Sequence, residues 1–231
     1  MKVTAIIQAR MTSTRLPGKV LMNIEGKPML WHVINRLRFS KKLNDITLAI
    51  PNTKKNDILE KFAKNNKVKY FRGSEKDVLS RYYQAAKKFK CDVIVRITSD
   101  CPLVDPKLVD LMIEKHLNSG ADFTSNCIER TFPKGLDIEI FNFGVLEKTH
   151  KEAKGKFEKE HVVLYMEKHP EIFNIVQFKN RKDFSYLRWV VDNIKDLKFI
   201  REIYKRLYKE GKIFLMEDVI TFLKKQSKLM K

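Results

Sequence analysis

Apolar and polar positions along the chain follow two regimes. Val3–Gln8 is a nearly continuous apolar, β-branched run and predicts a buried strand. Pro28–Phe39 places Met29, Leu30, Val33, Ile34 and Leu37 at helical spacing on one face. Ile46–Ile50 predicts a strand stopped by Pro51, Asp57–Asn65 a short helix, and Val68–Phe71 a strand ended by Arg72-Gly73. Glu75–Phe89 predicts a helix with Ser74 as its N-cap. Asp92–Thr98 is the strongest strand signal, and Pro106–Asn118 predicts a helix with Leu108, Leu111 and Met112 inward.

This strand–helix rhythm implies an α/β fold with a mostly parallel central sheet and helices on both faces. Such sheets bind ligands beyond the carboxyl ends of their strands. The loops Arg10–Lys19, Arg72–Asp77 and Ser99–Asp105 all follow strands and are expected to line one crevice. After Ala121 the pattern changes. Ala121–Ser125, Leu136–Phe141, Asn174–Phe178 and Leu187–Val191 predict strands, and Phe157–Lys168 predicts a helix. Ile194–Tyr208 and Met216–Lys225 predict two closing helices. The whole chain, residues 1–231, reads as one domain, with residues 126–180 expected to form a small β-rich lobe or dimerisation arm.

Composition narrows the classes. Of 231 residues 43% are apolar, enough for one substantial core, and no long uncharged apolar run predicts a membrane span. The start of the chain does not read as a signal peptide. Cys91, Cys101 and Cys127 are odd in number and lack metal-type spacing, so they read as reduced thiols of a cytoplasmic protein. The net charge of +19 comes from scattered lysines. It reads as a solvated surface rather than a nucleic-acid-binding stripe.

Three segments carry candidate chemistry. The first is Gln8-Ala9-Arg10-Met11-Thr12-Ser13-Thr14-Arg15-Leu16-Pro17-Gly18-Lys19. Its backbone N–H groups, the Ser13 and Thr14 hydroxyls and the cations Arg10, Arg15 and Lys19 suit a polyanion at a strand end. It has neither P-loop nor dinucleotide-fingerprint spacing. A merely basic surface turn would explain Pro17-Gly18, but not Arg10 directly against a buried strand. The second segment is Arg96-Ile97-Thr98-Ser99-Asp100-Cys101-Pro102. Asp100, just past the strongest strand, is placed to hold Mg²⁺, whereas Asp105 reads as a helix cap. Asp192, at the end of Leu187–Val191, is the second candidate carboxylate, with helix capping as its equal alternative. Two strand-end aspartates beside a basic loop fit metal-assisted nucleotidyl transfer. The third segment, Gly135-Leu136-Asp137-Ile138-Glu139, puts two acids on one strand face, with Glu160-His161 as further polar groups. Taken alone, it reads as an ordinary amphipathic strand. No zinc-type or nucleophile arrangement joins the histidines, serines and cysteines.

Taken together and in order, these segments resemble the cytidylyltransferases that activate acidic sugars. These are the CMP-sialic acid and CMP-Kdo synthetases, and the closest likeness is to their spore-coat (SpsF-type) branch. Phe71-Arg72-Gly73-Ser74-Glu75-Lys76-Asp77 and Arg188-Trp189-Val190-Val191-Asp192 belong to the same likeness, which spans nearly the whole chain. The resemblance implies a Rossmann-like nucleotide-diphospho-sugar transferase fold and a homodimer. It implies that Arg10, Lys19 and Asp100 are catalytic and that Ala9, Arg10, Ser13, Thr14, Arg15, Lys19, Arg72, Gly73, Ser74 and Asp77 bind nucleotide. It places Asp137, Glu139 and His161 at the sugar, with Mg²⁺ on Asp100 and Asp192. The implied partners are CTP and a small acidic sugar, with no nucleic acid and no membrane insertion. The sugar-side residues differ from those of the CMP-Kdo and CMP-sialate enzymes, so the acceptor does not carry over. A different base, a sugar phosphate, or glycosyl transfer on the same fold are the alternatives. For the last of these, Asp100 lacks the expected Asp-x-Asp partner.

Overall fold

The computed structural model describes residues 1–226; the last five residues of the expected 1–231 unit lie outside the described residues. Strand β1 (Val3–Gln8) is followed by the basic loop and a two-residue-strand hairpin, β2 (Asn23–Ile24) and β3 (Lys27–Pro28), and then by α1 (Met29–Leu37). Next come β4 (Asp45–Pro51), α2 (Asp57–Asn65), β5 (Lys69–Gly73), α3 (Val78–Lys88), β6 (Val93–Thr98) and α4 (Pro106–Ser119). The second half adds β7 (Phe123–Ser125), β8 (Glu139–Asn142), α5 (Phe143–Glu152), α6 (Lys156–Glu160), α7 (Leu164–Lys168), β9 (Ile175–Gln177), α8 (Ile194–Leu207) and α9 (Met216–Lys225).

The strands form one seven-stranded sheet in the order β5-β4-β1-β6-β8-β7-β9. The first four are mutually parallel, while β8 runs antiparallel to both β6 and β7. Alternation along each central strand divides the core. Ala5, Ile7, Val93, Val95 and Ile97 pack with α1, α2, α4, α8 and α9 on one face. Ile6, Ala49, Ile94 and Phe141 pack with α3, α5 and α7 on the other. Side chains that alternate across a strand need apolar cover on both sides, which is why these strands read as continuous runs. Several large polar side chains inside this core are paired. Arg36 donates to the carbonyls of Val104 and Phe214 at 2.7 Å each, and the Tyr82 hydroxyl donates to the Ile6 carbonyl at 3.0 Å.

Several expectations are revised. Residues 126–180 hold more helix than strand rather than being β-rich, and their strands β8 and β9 join the main sheet. The helix expected over Phe157–Lys168 is two short helices separated at His161–Val163. Leu187–Val191 is extended but forms only an isolated bridge, Arg188 to Lys134, rather than a sheet strand. Pro51 is the last residue of β4 rather than its stop. Asp77, not Ser74, caps α3 by accepting from the Ser80 N–H at 2.7 Å, and Leu111 points to solvent.

The bridge of Leu187–Val191 depends on Gly135. Its φ of +110° lies outside the range of ordinary L-residues, and a Cβ there would lie 2.6 Å from the Trp189 carbonyl carbon and the Val190 nitrogen. Gly135→Ala is therefore expected to destabilise the fold by about 2 kcal/mol or more in urea titration, by strain and by displacing the segment that ends at Asp192. An unchanged midpoint would show that the two segments can separate freely.

Candidate functional site

Parallel pairing builds the site. Gln8 at the end of β1 sits opposite Thr98 at the end of β6, so the loops after these strands leave side by side. The Ser99 N–H donates to the Gln8 carbonyl at 3.2 Å, locking the two exits together. The Val191 N–H donates to the Asp100 carbonyl at 2.9 Å, which delivers Asp192 to the same edge from the far end of the chain. The basic loop is held by its own turns. Met11 N–H donates to the side chain of buried Asn56 at 2.9 Å, and Gly18 N–H donates to the Met11 carbonyl at 3.0 Å. Gly18 adopts φ +71°, a left-handed conformation that turns the chain into Lys19.

The result is a cavity of about 220 Å³ lined by Gln8, Ala9, Arg10, Ser13, Thr14, Arg15, Lys19, Arg81, Arg96, Ser99, Asp100, Glu160, His161 and Asp192, among others. At its floor lies buried Lys19. Its Nζ donates to Asp100 Oδ2 at 2.9 Å, to Asp192 Oδ1 at 3.3 Å and to the Val191 carbonyl at 2.7 Å. Asp192 also receives Arg15 Nη2 on Oδ1 and Arg188 Nη2 on Oδ2, both at 2.7 Å. Burial raises the Asp192 pKa, but Arg188, Lys19 and Arg15 outweigh it, and the carboxyl titrates below its usual value. Arg15 is 68% exposed, so its ion pair is weak and its guanidinium is free to exchange onto a ligand. The cap question is decided as well. Asn193 caps α8 by accepting from Lys195 and Asp196, which leaves Asp192 for the cavity, while Asp105 caps α4 as expected.

The other expected residues separate. Arg72 does not reach the cavity: its guanidinium is held by Glu60 and Asp57, each at 2.6 Å, and by the Thr53 carbonyl. Gly73, Ser74 and Asp77 also stand behind the wall. Ser74 connects to it through its carbonyl, which accepts from Arg81. Asp137 lies before β8 and is bound by Arg130, and it lines neither this cavity nor its neighbour. Glu139 is buried against Arg96. His161, exposed where α6 ends, lines both cavities.

Two arginines escape a reading by loops alone. Arg81 sits on the inward face of α3, and burial, with repulsion from Arg10 adding to it, lowers its pKa to about 10. Arg96 interrupts the buried strand β6. Burial disfavours its charge, but Glu139 more than restores it and lifts the pKa above the usual arginine value. The available signal was an arginine beside buried apolar residues: Val78, Tyr82 and Ala85 for one, Val95 and Ile97 for the other. The cavity wall thus holds five cations (Arg10, Arg15, Lys19, Arg81, Arg96) against three carboxylates (Asp100, Glu160, Asp192). Arg96 is paired to Glu139, and the remaining four cations still exceed the three carboxylates, a balance that attracts a polyanion.

A divalent metal was expected on Asp100 and Asp192. These two carboxylates converge on one cation, Lys19 Nζ; Asp100 Oδ1 has only a 3.8 Å thiol contact and is open, whereas Asp192 Oδ1 also accepts from Arg15 and opens only when that exposed guanidinium turns away. No cluster of three or more acidic, histidine or cysteine side chains fit to hold a metal occurs among the described residues. Two carboxylates completed by ligand phosphate oxygens and water match the chemistry of Mg²⁺.

Comparison with known proteins bears on the family and the fold. The cytidylyltransferase family model matches residues 4–224. The spore coat polysaccharide biosynthesis protein SpsF of Bacillus subtilis is 33% identical over 208 residues, 87% of this chain and 85% of the relative. A solved cytidylyltransferase from Leptospira borgpetersenii is 38% identical and superimposes with a TM-score of 0.95, covering 100% of this chain and 97% of the other. A CMP:2-keto-3-deoxy-manno-octonic acid synthetase, solved with CTP, shares the fold at a TM-score of 0.66 and 17% identity, over 90% of this chain and 100% of its own. Among the described residues no helix is long and apolar enough to cross a membrane.

Lys19→Met leaves Asp100 and Asp192 facing each other without the cation between them. At neutral pH it is expected to cost about 2 kcal/mol. The Asp192 pKa is depressed in the folded state, so its contribution is present above the unfolded value and fades as pH falls through the folded one. The variant's deficit should therefore shrink below about pH 4, where protonation relieves the repulsion. Urea titrations at both pH values check this; an equal deficit at both would remove the electrostatic account.

Proposed function

The chain belongs to the cytidylyltransferase family, and from that premise we propose that it transfers CMP from CTP to an acidic sugar, releasing pyrophosphate, for surface polysaccharide or glycan synthesis. The observation that carries this reading is the convergence of Lys19, Asp100 and Asp192, from three distant segments, on the floor of a cation-lined cavity. The name of the Bacillus relative supports polysaccharide synthesis, and the synthetase solved with CTP supports both the nucleotide and the acidic acceptor.

In this reading the triphosphate enters over the loop from Arg10 to Lys19, whose cations neutralise it. Arg15 releases Asp192 as it turns to the phosphates, while Lys19 stays in place because it is buried. An acceptor hydroxyl oxygen attacks the α-phosphorus and loses its proton to water. The bond from that phosphorus to the bridging oxygen breaks, and pyrophosphate leaves with its charge spread onto Arg10, Arg15 and Lys19. Positioning and charge neutralisation supply the rate enhancement. Mg²⁺, held by Asp100 and Asp192, would supply charge neutralisation at the phosphates. Arg188 fixes Asp192 from its outer oxygen at 2.7 Å, so the inner oxygen keeps facing the cavity. Assembly as a homodimer belongs to the same proposal and is readable by light scattering.

A nucleotide panel crossed with a sugar-acid library tests the reading by pyrophosphate release. CTP with an acid is expected to be the productive pair, abolished by a chelator and restored by Mg²⁺. Glycosyl transfer from a nucleotide-sugar, without turnover of any acid, would sink it. Asp100→Asn is expected to lower kcat by about 10²–10³ with the fold intact; wild-type turnover would take Asp100 out of the chemistry. Arg15→Ala is expected to raise the KM for CTP about tenfold, as loss of one charge-assisted contact. An unchanged KM would place the triphosphate elsewhere.

A further inference from the structure

A second cavity, of about 410 Å³, adjoins the first and shares Arg96 and His161 with it. It is lined by Glu139 on β8, by Phe157 on α6 and by Val163, Leu164 and Glu167 around the bend into α7. Its charges are unequal in kind. Arg96 is ion-paired to buried Glu139, so that pair is neutral as a unit. Glu167 is half-buried, and among the described residues no side chain pairs with its carboxylate. The chain carries 47 lysines and arginines against 28 acids, so cations to pair with Glu167 are plentiful, yet none is placed there. A carboxylate partly withdrawn from water without a partner carries a cost, and a glutamine or leucine would line the wall without it. Burial, with repulsion from Glu139 second, pushes its carboxyl up to about 7.

The cavity therefore lacks one positive charge, at a point away from the triphosphate cations. We propose that this cavity is the acceptor's distal subsite, and that Glu167 selects an acidic sugar bearing a free amino group, bound as the ammonium. The proposal rests on the CMP-transfer reading for the identity of the acceptor. The ammonium donates to Glu167 and supplies the missing cation, and the apolar side chains of Phe157, Val163 and Leu164 cover the sugar's carbon face. A hydroxyl in the same position gains only a neutral donor's hydrogen bond, which is weaker against a carboxylate than an ammonium's.

The test uses paired sugar acids that differ only in an amino group or a hydroxyl at one carbon, with the full-length protein and its Glu167→Gln variant. Calorimetric titration of each acid, without nucleotide, reads the cavity directly. Pyrophosphate release with CTP reads transfer. The wild type is expected to bind the amino acid sugar about tenfold tighter than its hydroxyl twin, the difference between a charged and a neutral hydrogen bond, and to show the same ratio in kcat/KM. In Glu167→Gln both ratios are expected to fall to about one. Equal binding of the pair by the wild type, or a preference that survives in Glu167→Gln, overturns the subsite. Selective binding that Glu167→Gln abolishes, with no pyrophosphate released from either acid, upholds the subsite and overturns the CMP-transfer reading instead.

Discussion

One ammonium group organises this site. Lys19 Nζ is held between Asp100 and Asp192, and it also donates to the Val191 carbonyl. Lys19 itself ends the first loop and its partners come from the end of β6 and the segment before α8, so a single cation fastens three parts of the chain that are far apart in sequence. Two carboxylates at such close range repel each other strongly in a partly buried setting. The cation makes their convergence tolerable, and the backbone bonds from Ser99 to Gln8 and from Val191 to Asp100 make it inescapable.

From that constraint the rest of the wall follows. Lys19 is buried and fixed, Arg15 is exposed and exchangeable, and Arg188 reinforces Asp192 from outside. The fixed charge sets the field, while the exchangeable charge can move to a ligand without unfolding anything. Arg81 and Arg96 are placed by a helix and a strand rather than by a loop, so they add cationic surface with little freedom to move. The same rigidity separates the two cavities: Arg96 forms their common wall because Glu139 holds it there.

Periodicity and punctuation carried the architecture of the first half well, because each parallel strand there is buried on both faces and each helix is amphipathic. They carried less in the second half. Leu187–Val191 has a strand's composition, but it pairs only through a single bridge at Lys134, packed against Gly135, and does not enter the sheet. Phe157–Lys168 has a helix's composition, but it bends at His161–Val163, and that bend is what opens the second cavity. Short-range pattern cannot register either event, since both are set by what packs across from the segment.

The sequence by itself determined the parallel sheet and the strand-end positions of the Arg10–Lys19 loop and of Asp100, because strand ends are local properties. Tertiary structure alone decided the partners. It gave Asp192 to Lys19 rather than to a helix cap, turned Arg72 towards Glu60 and Asp57, tied Asp137 to Arg130, and brought Arg81 and Arg96 into the wall. Ion pairing depends on distances across the fold. A charge spaced correctly along the chain therefore finds its use only when the sheet register and the loop turns settle which opposite charge lies within reach.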